Sequence, residues 1–255
     1  MVTTRENGSL YTRIDGQVAH VEFGHPASNS FVADLLLRLT DTINELSENA
    51  GVSVILLKSE GEKAFCAGAS FDELLAVSNL EEGKAFFSGF AHVINAMRKC
   101  KKVIVGRVHG KTVGGGVGLA AACDYVYSNV EASIKLSELS IGIAPLVIAP
   151  AVERKIGTAA LAELSLAPTE WKSAYWAQEK GLFSKVYESA QEMDKELDFF
   201  IHKLVSYNPD ALSEWKKVLW EGTEHWDVLL TDRAAITGKL ALSDFTRNAL
   251  SKFKK

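Results

Sequence analysis

Residues 107–124 read RVHGKTVGGGVGLAAACD. Here the apolar run VIVGRVHG (103–110) meets Gly114, Gly115 and Gly116, and an Ala-rich segment follows. That order predicts a strand that stops, a close backbone approach, and a helix that begins. Such a turn leaves unpaired N–H groups at the positive end of a helix, which suits a developing oxyanion. A second turn, AFCAGAS (64–70), follows the strand-like VSVILLKS (52–59) in the same manner. Two such turns are what a two-donor oxyanion hole requires; they are equally what tight strand-to-helix connections require.

Working outward, LYTRIDG and QVAHVEFG (10–24) alternate around Asp15-Gly16 as a β-hairpin. After PASNSF, the segment 31–50 carries apolar residues at helical spacing. FDELLAV (71–77) and the segment 81–100 read as helices, the latter opening on Glu81 and Glu82 and closing on bases. YVYSNV and ASIKLS are further strands. Pro145 and Pro150 bracket a loop and the start of the helix APAVERKIG (149–157). ALAELSLA, EWKSAYWAQEKG and residues 190–207 continue helically, and Asn208-Pro209 breaks the chain before ALSEWKKVLWEG. Repeated strand–helix units with short apolar strands give an α/β core with parallel pairing. The helical last third, with Trp215, Trp220 and Trp226, reads as a module that packs on the core or on a neighbouring subunit.

At 255 residues and net charge -4, with acids and bases interspersed, the chain offers no basic stripe for nucleic acid or an anionic membrane. Cys66, Cys100 and Cys123 lack metal-ligand spacing and read as small buried side chains. There is no hydrophobic leader and no uninterrupted bilayer-length apolar run, so a cytoplasmic location is expected. GKTVGGG matches neither a phosphate-binding loop nor a dinucleotide fingerprint.

KAFCAGASFDEL (63–74), RVHGKTVGGGVGLAAACD, SELSIGIAP (137–145) and KGLFSKV (180–186) together resemble the crotonase (enoyl-CoA hydratase/isomerase) superfamily. Within it, the GVGL and SE…GIAP patterns look closest to methylglutaconyl-CoA and related branched-acyl-CoA hydratases of bacterial leucine and terpenoid degradation. The resemblance implies a spiral of ββα units with a C-terminal helical trimerisation region, divided here as residues 1–190 and 191–255. It also implies a homotrimer or dimer of trimers acting on an acyl-CoA thioester, with no metal or redox cofactor beyond the CoA of the substrate.

By the same resemblance, the backbone amides of Ala69 and Gly115 hold the thioester oxygen. Ala67, Gly68, Ala69, Ser70, Phe71 and Asp72 form the CoA-binding loop, with Asp72 standing where a lysine is common. Arg13, Lys63 and Lys252 are candidates to supply that charge, and Arg98 and Lys135 to meet an acyl carboxylate. Strong hydratases of the family carry one glutamate at the GGG-x-E position and another after the following strand. The second matches Glu138; the first is Gly118. Three readings stay open: hydration by Glu138 alone, double-bond isomerisation by one carboxylate, or acyl-CoA binding without chemistry. The subgroup pattern inclines toward hydratase. Phe86, Phe87, Phe90 and the stretch Leu146-Val147-Ile148 are expected to include acyl-pocket residues, and His109 to play a structural part.

Overall fold

A computed structural model describes residues 7–252. The chain opens with the hairpin β1 (Ser9–Asp15) and β2 (Val18–Gly24), paired from Ser9↔Gly24 to Asp15↔Val18. The two-residue loop is therefore Gly16-Gln17, one position later than Asp15-Gly16; Gly16 supplies the positive φ of +56° that the turn needs. Helix α1 (Ala33–Glu48) follows.

The next three units share one plan. Strand β3 (Val54–Ser59) leads to β4 (Ala64–Cys66), then helices α2 (Phe71–Ala76) and α3 (Leu80–Lys99). Strand β5 (Val103–Val108) leads to β6 (Lys111–Val113) and α4 (Gly115–Ala122). Strand β7 (Tyr125–Asn129) leads to β8 (Ser133–Lys135), a single 3-10 turn (Glu138–Ile141) and α5 (Ala149–Leu166). The first strand of each unit joins a large sheet and the second a small one, which is the expected spiral of ββα units. The large sheet is ordered β1-β2-β3-β5-β7 and then β10 (Lys185–Tyr187), and is parallel beyond the hairpin. The small sheet is ordered β4-β6-β8 and then β9 (Lys172–Ser173).

Two short strands follow α5, the first inside EWKSAYWAQEKG, which reads as a helix, and the second in the stretch between that segment and residue 190. Lys172–Ser173 form β9, antiparallel to β8, before α6 (Ala174–Glu179) starts behind the Ser173 side-chain cap. Lys185–Tyr187 form β10, closing the edge of the large sheet beside β7. Both strands are too short for periodicity to reveal; the open sheet edges recruit them.

The central strands are apolar on both faces because both faces are covered. Ile55, Leu57 and Ile104 face the main core with α1, α3 and α4, while Val54, Leu56, Val103 and Val105 face Met193, Leu197 and Ile201 of α7 (Ala190–Val205). Helices α8 (Pro209–Leu219), α9 (Trp226–Ala241) and α10 (Asp244–Ser251) complete the described chain. Helix α9 lies along α3, where Gly83 and Gly238 cross so closely that a Cβ on Gly83 would stand 2.9 Å from Gly238 Cα. Trp220 and Trp226 are buried edge-to-face at 6.0 Å, whereas Trp215 is exposed. All three cysteines are free and buried. No helix among the described residues is long and apolar enough to cross a membrane.

Helix α8 is pinned by a buried ion pair. Lys216 Nζ lies 2.9 Å from Asp124 Oδ2, with the side chains 2% and 3% exposed. The Ile104 backbone N–H and Trp220 Nε1 both donate to that carboxylate at 2.7 Å, and Lys216 also donates to the Lys102 carbonyl at 2.7 Å. Removing one partner strands a buried charge, so Asp124→Ala is expected to cost about 3–5 kcal/mol. Urea denaturation of the variant beside wild type measures it.

Candidate active site

The two glycine turns meet. Loop 64–70 is shaped by residues 28–31, which the sequence reading passed over as a mere break. Asn29 adopts a left-handed φ of +58° and donates through Nδ2 to the carbonyls of Glu60 at 2.7 Å and Ala64 at 2.9 Å. The Ala67 N–H donates to the Ser28 carbonyl, and Phe31 bridges Gly68 and Ser70 through backbone hydrogen bonds of 2.8 and 2.7 Å. Asparagine tolerates the left-handed region better than most residues, and that was the only signal a sequence could have offered.

This pairing uses the amides of Ala67 and Ser70 and leaves that of Ala69 without an acceptor among the described residues. Gly115, first residue of α4, has no intrahelical acceptor either. A Cβ on Gly68 would lie 3.1 Å from the Val113 carbonyl and 3.6 Å from the Gly115 nitrogen, so the loops approach backbone to backbone. Ala69 and Gly115 both line one cavity.

Glu138 lines the same cavity from the 3-10 turn after β8. That turn is closed by Gly142, at φ +86°, and the Ile143 N–H donates to the Glu138 carbonyl at 3.1 Å. Thr246 of α10 anchors it further, its Oγ1 donating to the Gly142 carbonyl at 3.0 Å. Glu138 Oε2 is shielded from solvent and has no hydrogen-bond partner among the described residues. Burial raises the carboxyl to about 7, opposed only in part by a hydrogen bond from its own backbone. Glycine is required at 114 on two counts: its φ is +53°, and a Cβ there would come within 2.8 Å of Glu138 Oε1.

The remaining walls are mostly hydrocarbon. Phe87 and Phe90 enter from α3, while Phe86 points instead toward Ala33 and Val77; a Cβ on Gly115 would collide with the Phe90 ring. Leu146, Val147 and Ile148 line the cavity as the sequence suggested. Leu74, Ile141, Ile143 and Thr237 also line it and were not singled out beforehand; Thr237 arrives from α9, by the long-range Gly83–Gly238 crossing.

Of the expected CoA loop, Ala67, Gly68, Ala69 and Phe71 line the cavity. Ser70 does not: it is buried and caps α2, accepting the Glu73 N–H at 3.4 Å. Asp72 sits exposed in the first turn of α2, outside the cavity. No lysine or arginine among the described residues lines the cavity. Arg98 pairs with Asp227 at 2.9 Å, Lys135 lies over the Trp171 ring at 4.5 Å, and Arg13 neighbours Asp15 on the hairpin. His109 is buried beyond the cavity; burial lowers it to about 4, so it is neutral, and its ring nitrogens find no partner among the described residues.

At position 118 a Cβ would lie 2.5 Å from Ile148 Cγ2 and 2.6 Å from Ile148 Cβ. Gly118 is thus covered by a neighbouring side chain rather than facing open space.

The model of the enoyl-CoA hydratase/isomerase family matches residues 13–240. The chain belongs to this family. Its relatives include the peroxisomal Delta(3,5)-Delta(2,4)-dienoyl-CoA isomerase of Arabidopsis thaliana, 27% identical over 223 residues, covering 82% of this chain and 80% of the relative. A short-chain-enoyl-CoA hydratase of Clostridium acetobutylicum is 26% identical over 94% of this chain and 92% of its own. The crystal structure of an enoyl-CoA hydratase from Bacillus halodurans superposes with a TM-score of 0.88 at 20% identity, covering 95% of this chain and 99% of that one. The crotonase fold expected from the motifs is therefore the fold of this family member. Hydratases and isomerases stand side by side among the relatives, so kinship establishes the family and leaves the reaction open.

The shielded carboxylate makes a prediction independent of catalysis. The raised folded value means that, as pH climbs from the unfolded glutamate range near 4.5 toward about 7, the unfolded chain releases the Glu138 proton first, and stability falls. Below that window both states are protonated and nothing is lost. Glu138→Gln removes the effect, so its melting temperature should exceed wild type at pH 8 and match it near pH 4. Thermal melts at the two pH values decide this.

Proposed function

We propose that this family member shifts a carbon–carbon double bond along an enoyl-CoA thioester, with Glu138 as its single proton carrier. The observation that carries this reading is the solitary shielded carboxylate in a hydrocarbon cavity, together with the filled space over Gly118. Glu138 takes a proton from C2 of a 3-enoyl thioester. The electron pair delocalises onto the thioester oxygen, where the amides of Ala69 and Gly115 receive the developing charge. The protonated Glu138 then delivers its proton to C4, leaving the double bond between C2 and C3. One carboxylate suffices because C2 and C4 flank a single carbon. Each oxyanion donor is worth roughly 3 kcal/mol in comparable sites. The step calls only on the carboxylate, the two amides and the thioester.

The acyl group we assign is apolar. A carboxylated chain such as methylglutaconyl would lie beside Glu138 without a cation in the lining to pair with, at a cost of several kcal/mol. The CoA moiety is assigned to the loop that includes Ala67, Gly68 and Phe71, and the exposed apolar residues Val228, Ile236 and Phe245 of the C-terminal helices support residues 191–255 as the oligomerisation region. Hydration by Glu138 alone is the second reading, supported by the hydratases among the relatives.

The base must be ionised, so kcat/KM for isomerisation should rise with pH through about 7. Glu138→Gln should lower turnover by about 10²–10⁴-fold and abolish exchange of the α-proton with heavy water. Mass spectrometry with 3-enoyl-CoA, 2-enoyl-CoA and methylglutaconyl-CoA in heavy-oxygen water tests the reading. An alkene shift without labelled oxygen supports it; labelled 3-hydroxyacyl-CoA as the main product moves the assignment to hydratase.

A further inference from the structure

The geometry points to Ile148 as the residue that decides between moving the double bond and adding water to it. This rests on Glu138 being the proton carrier. Ile148 is 4% exposed, faces the cavity, and covers Gly118 so closely that Gly118 has no face on the cavity of its own. It cannot easily withdraw. Its carbonyl accepts the Val152 N–H at 3.1 Å, the Ala149 N–H donates to the Pro145 carbonyl at 3.0 Å, and Arg233 Nη1 donates to the Leu146 carbonyl at 3.3 Å. The start of α5 is therefore fixed by two local backbone bonds beside the isoleucine and by an arginine side chain reaching from α9.

What this contact removes is a place for water. A buried water needs two to four polar partners. Among the described residues the polar side chains of the cavity are Ser137, Glu138 and Thr237, and Thr237 Oγ1 already donates to the Arg233 carbonyl at 2.9 Å. The wall from Pro145 to Ile148 presents hydrocarbon. Hydration of a 2-enoyl thioester breaks the C2–C3 π bond and forms a C3–O bond and a C2–H bond. One water proton reaches C2 and the other stays on the new hydroxyl. The nucleophile must be held against C3 while Glu138 serves C2, and the Ile148 wall gives it nothing to hold.

Crotonyl-CoA and 2-hexenoyl-CoA in heavy-oxygen water, compared with isomerisation of 3-hexenoyl-CoA, give the ratio of the two reactions. Wild type should incorporate label at under a tenth of its isomerisation rate. Ile148→Ala should raise that ratio at least tenfold, because the volume vacated by the side chain beyond Cβ admits water. Ile148→Thr, which keeps the branched shape and adds a hydroxyl, guards against a collapsed core and should raise the ratio in the same direction. The idea is overturned if wild type hydrates as fast as it isomerises. It is equally overturned if variants that melt cooperatively and bind CoA keep the wild-type ratio. Failure of the underlying reading shows elsewhere: Glu138→Gln would then keep both isomerisation of 3-hexenoyl-CoA and exchange of its α-protons.

Discussion

The contact between loops 64–70 and 110–116 is made backbone to backbone, and everything at the site depends on it. A Cβ on Gly110 would stand 2.6 Å from the Lys63 carbonyl, and one on Gly116 would stand 2.7 Å from Cys66 Cβ. No side chain can separate two segments this close. The proximity pairs β4 with β6 in the small sheet and brings Ala69 and Gly115 to one cavity wall. The hydrogen bonds of Asn29 and Phe31 hold one side of the contact, and the N-terminus of α4 presents the other.

Around that contact the molecule concentrates electrostatic tension in one group. Lys216 pairs with Asp124 in the interior, and Arg98 and Lys99 pair with Asp227 where α9 meets α3. Among the described residues Glu138 alone combines a shielded oxygen without a partner and a position in the cavity lining, and burial moves it into the range where proton transfer in both directions is feasible near neutrality. Its backbone, by contrast, is tightly held, with Gly142 closing the turn and Thr246 reaching across from α10. A mobile proton on a carboxylate carried by a fixed backbone suits acid–base work.

Much of this was legible beforehand because local chemistry forces it. The glycine turns, the capped helices and the apolar strands all announced themselves through spacing and residue type, and Glu138 stood out through its motif. The Gly16-Gln17 turn and strands β9 and β10 did not. A one-residue shift in a hairpin, or two or three residues recruited by a sheet edge, leaves no periodic trace. Asn29 was equally silent: its work is done by hydrogen bonds to residues 31 and 35 positions away in the chain.

Family resemblance implied the spiral and the one candidate acid where two could have stood; the sequence by itself determined the α/β core and the meeting of strand ends with helix starts. It did so because those features depend on neighbours within a few residues. Only the tertiary structure decided what occupies the space beside Gly118. The sequence shows a missing side chain; the fold shows that Ile148, thirty positions later, fills the gap. Only the fold, too, carries the candidate cations Arg98 and Lys135 away to Asp227 and Trp171 and leaves the cavity apolar. Whether a glycine is a vacancy or a contact, and whether a charge faces a pocket, are questions of which distant atoms pack there, and packing is settled by the whole chain at once.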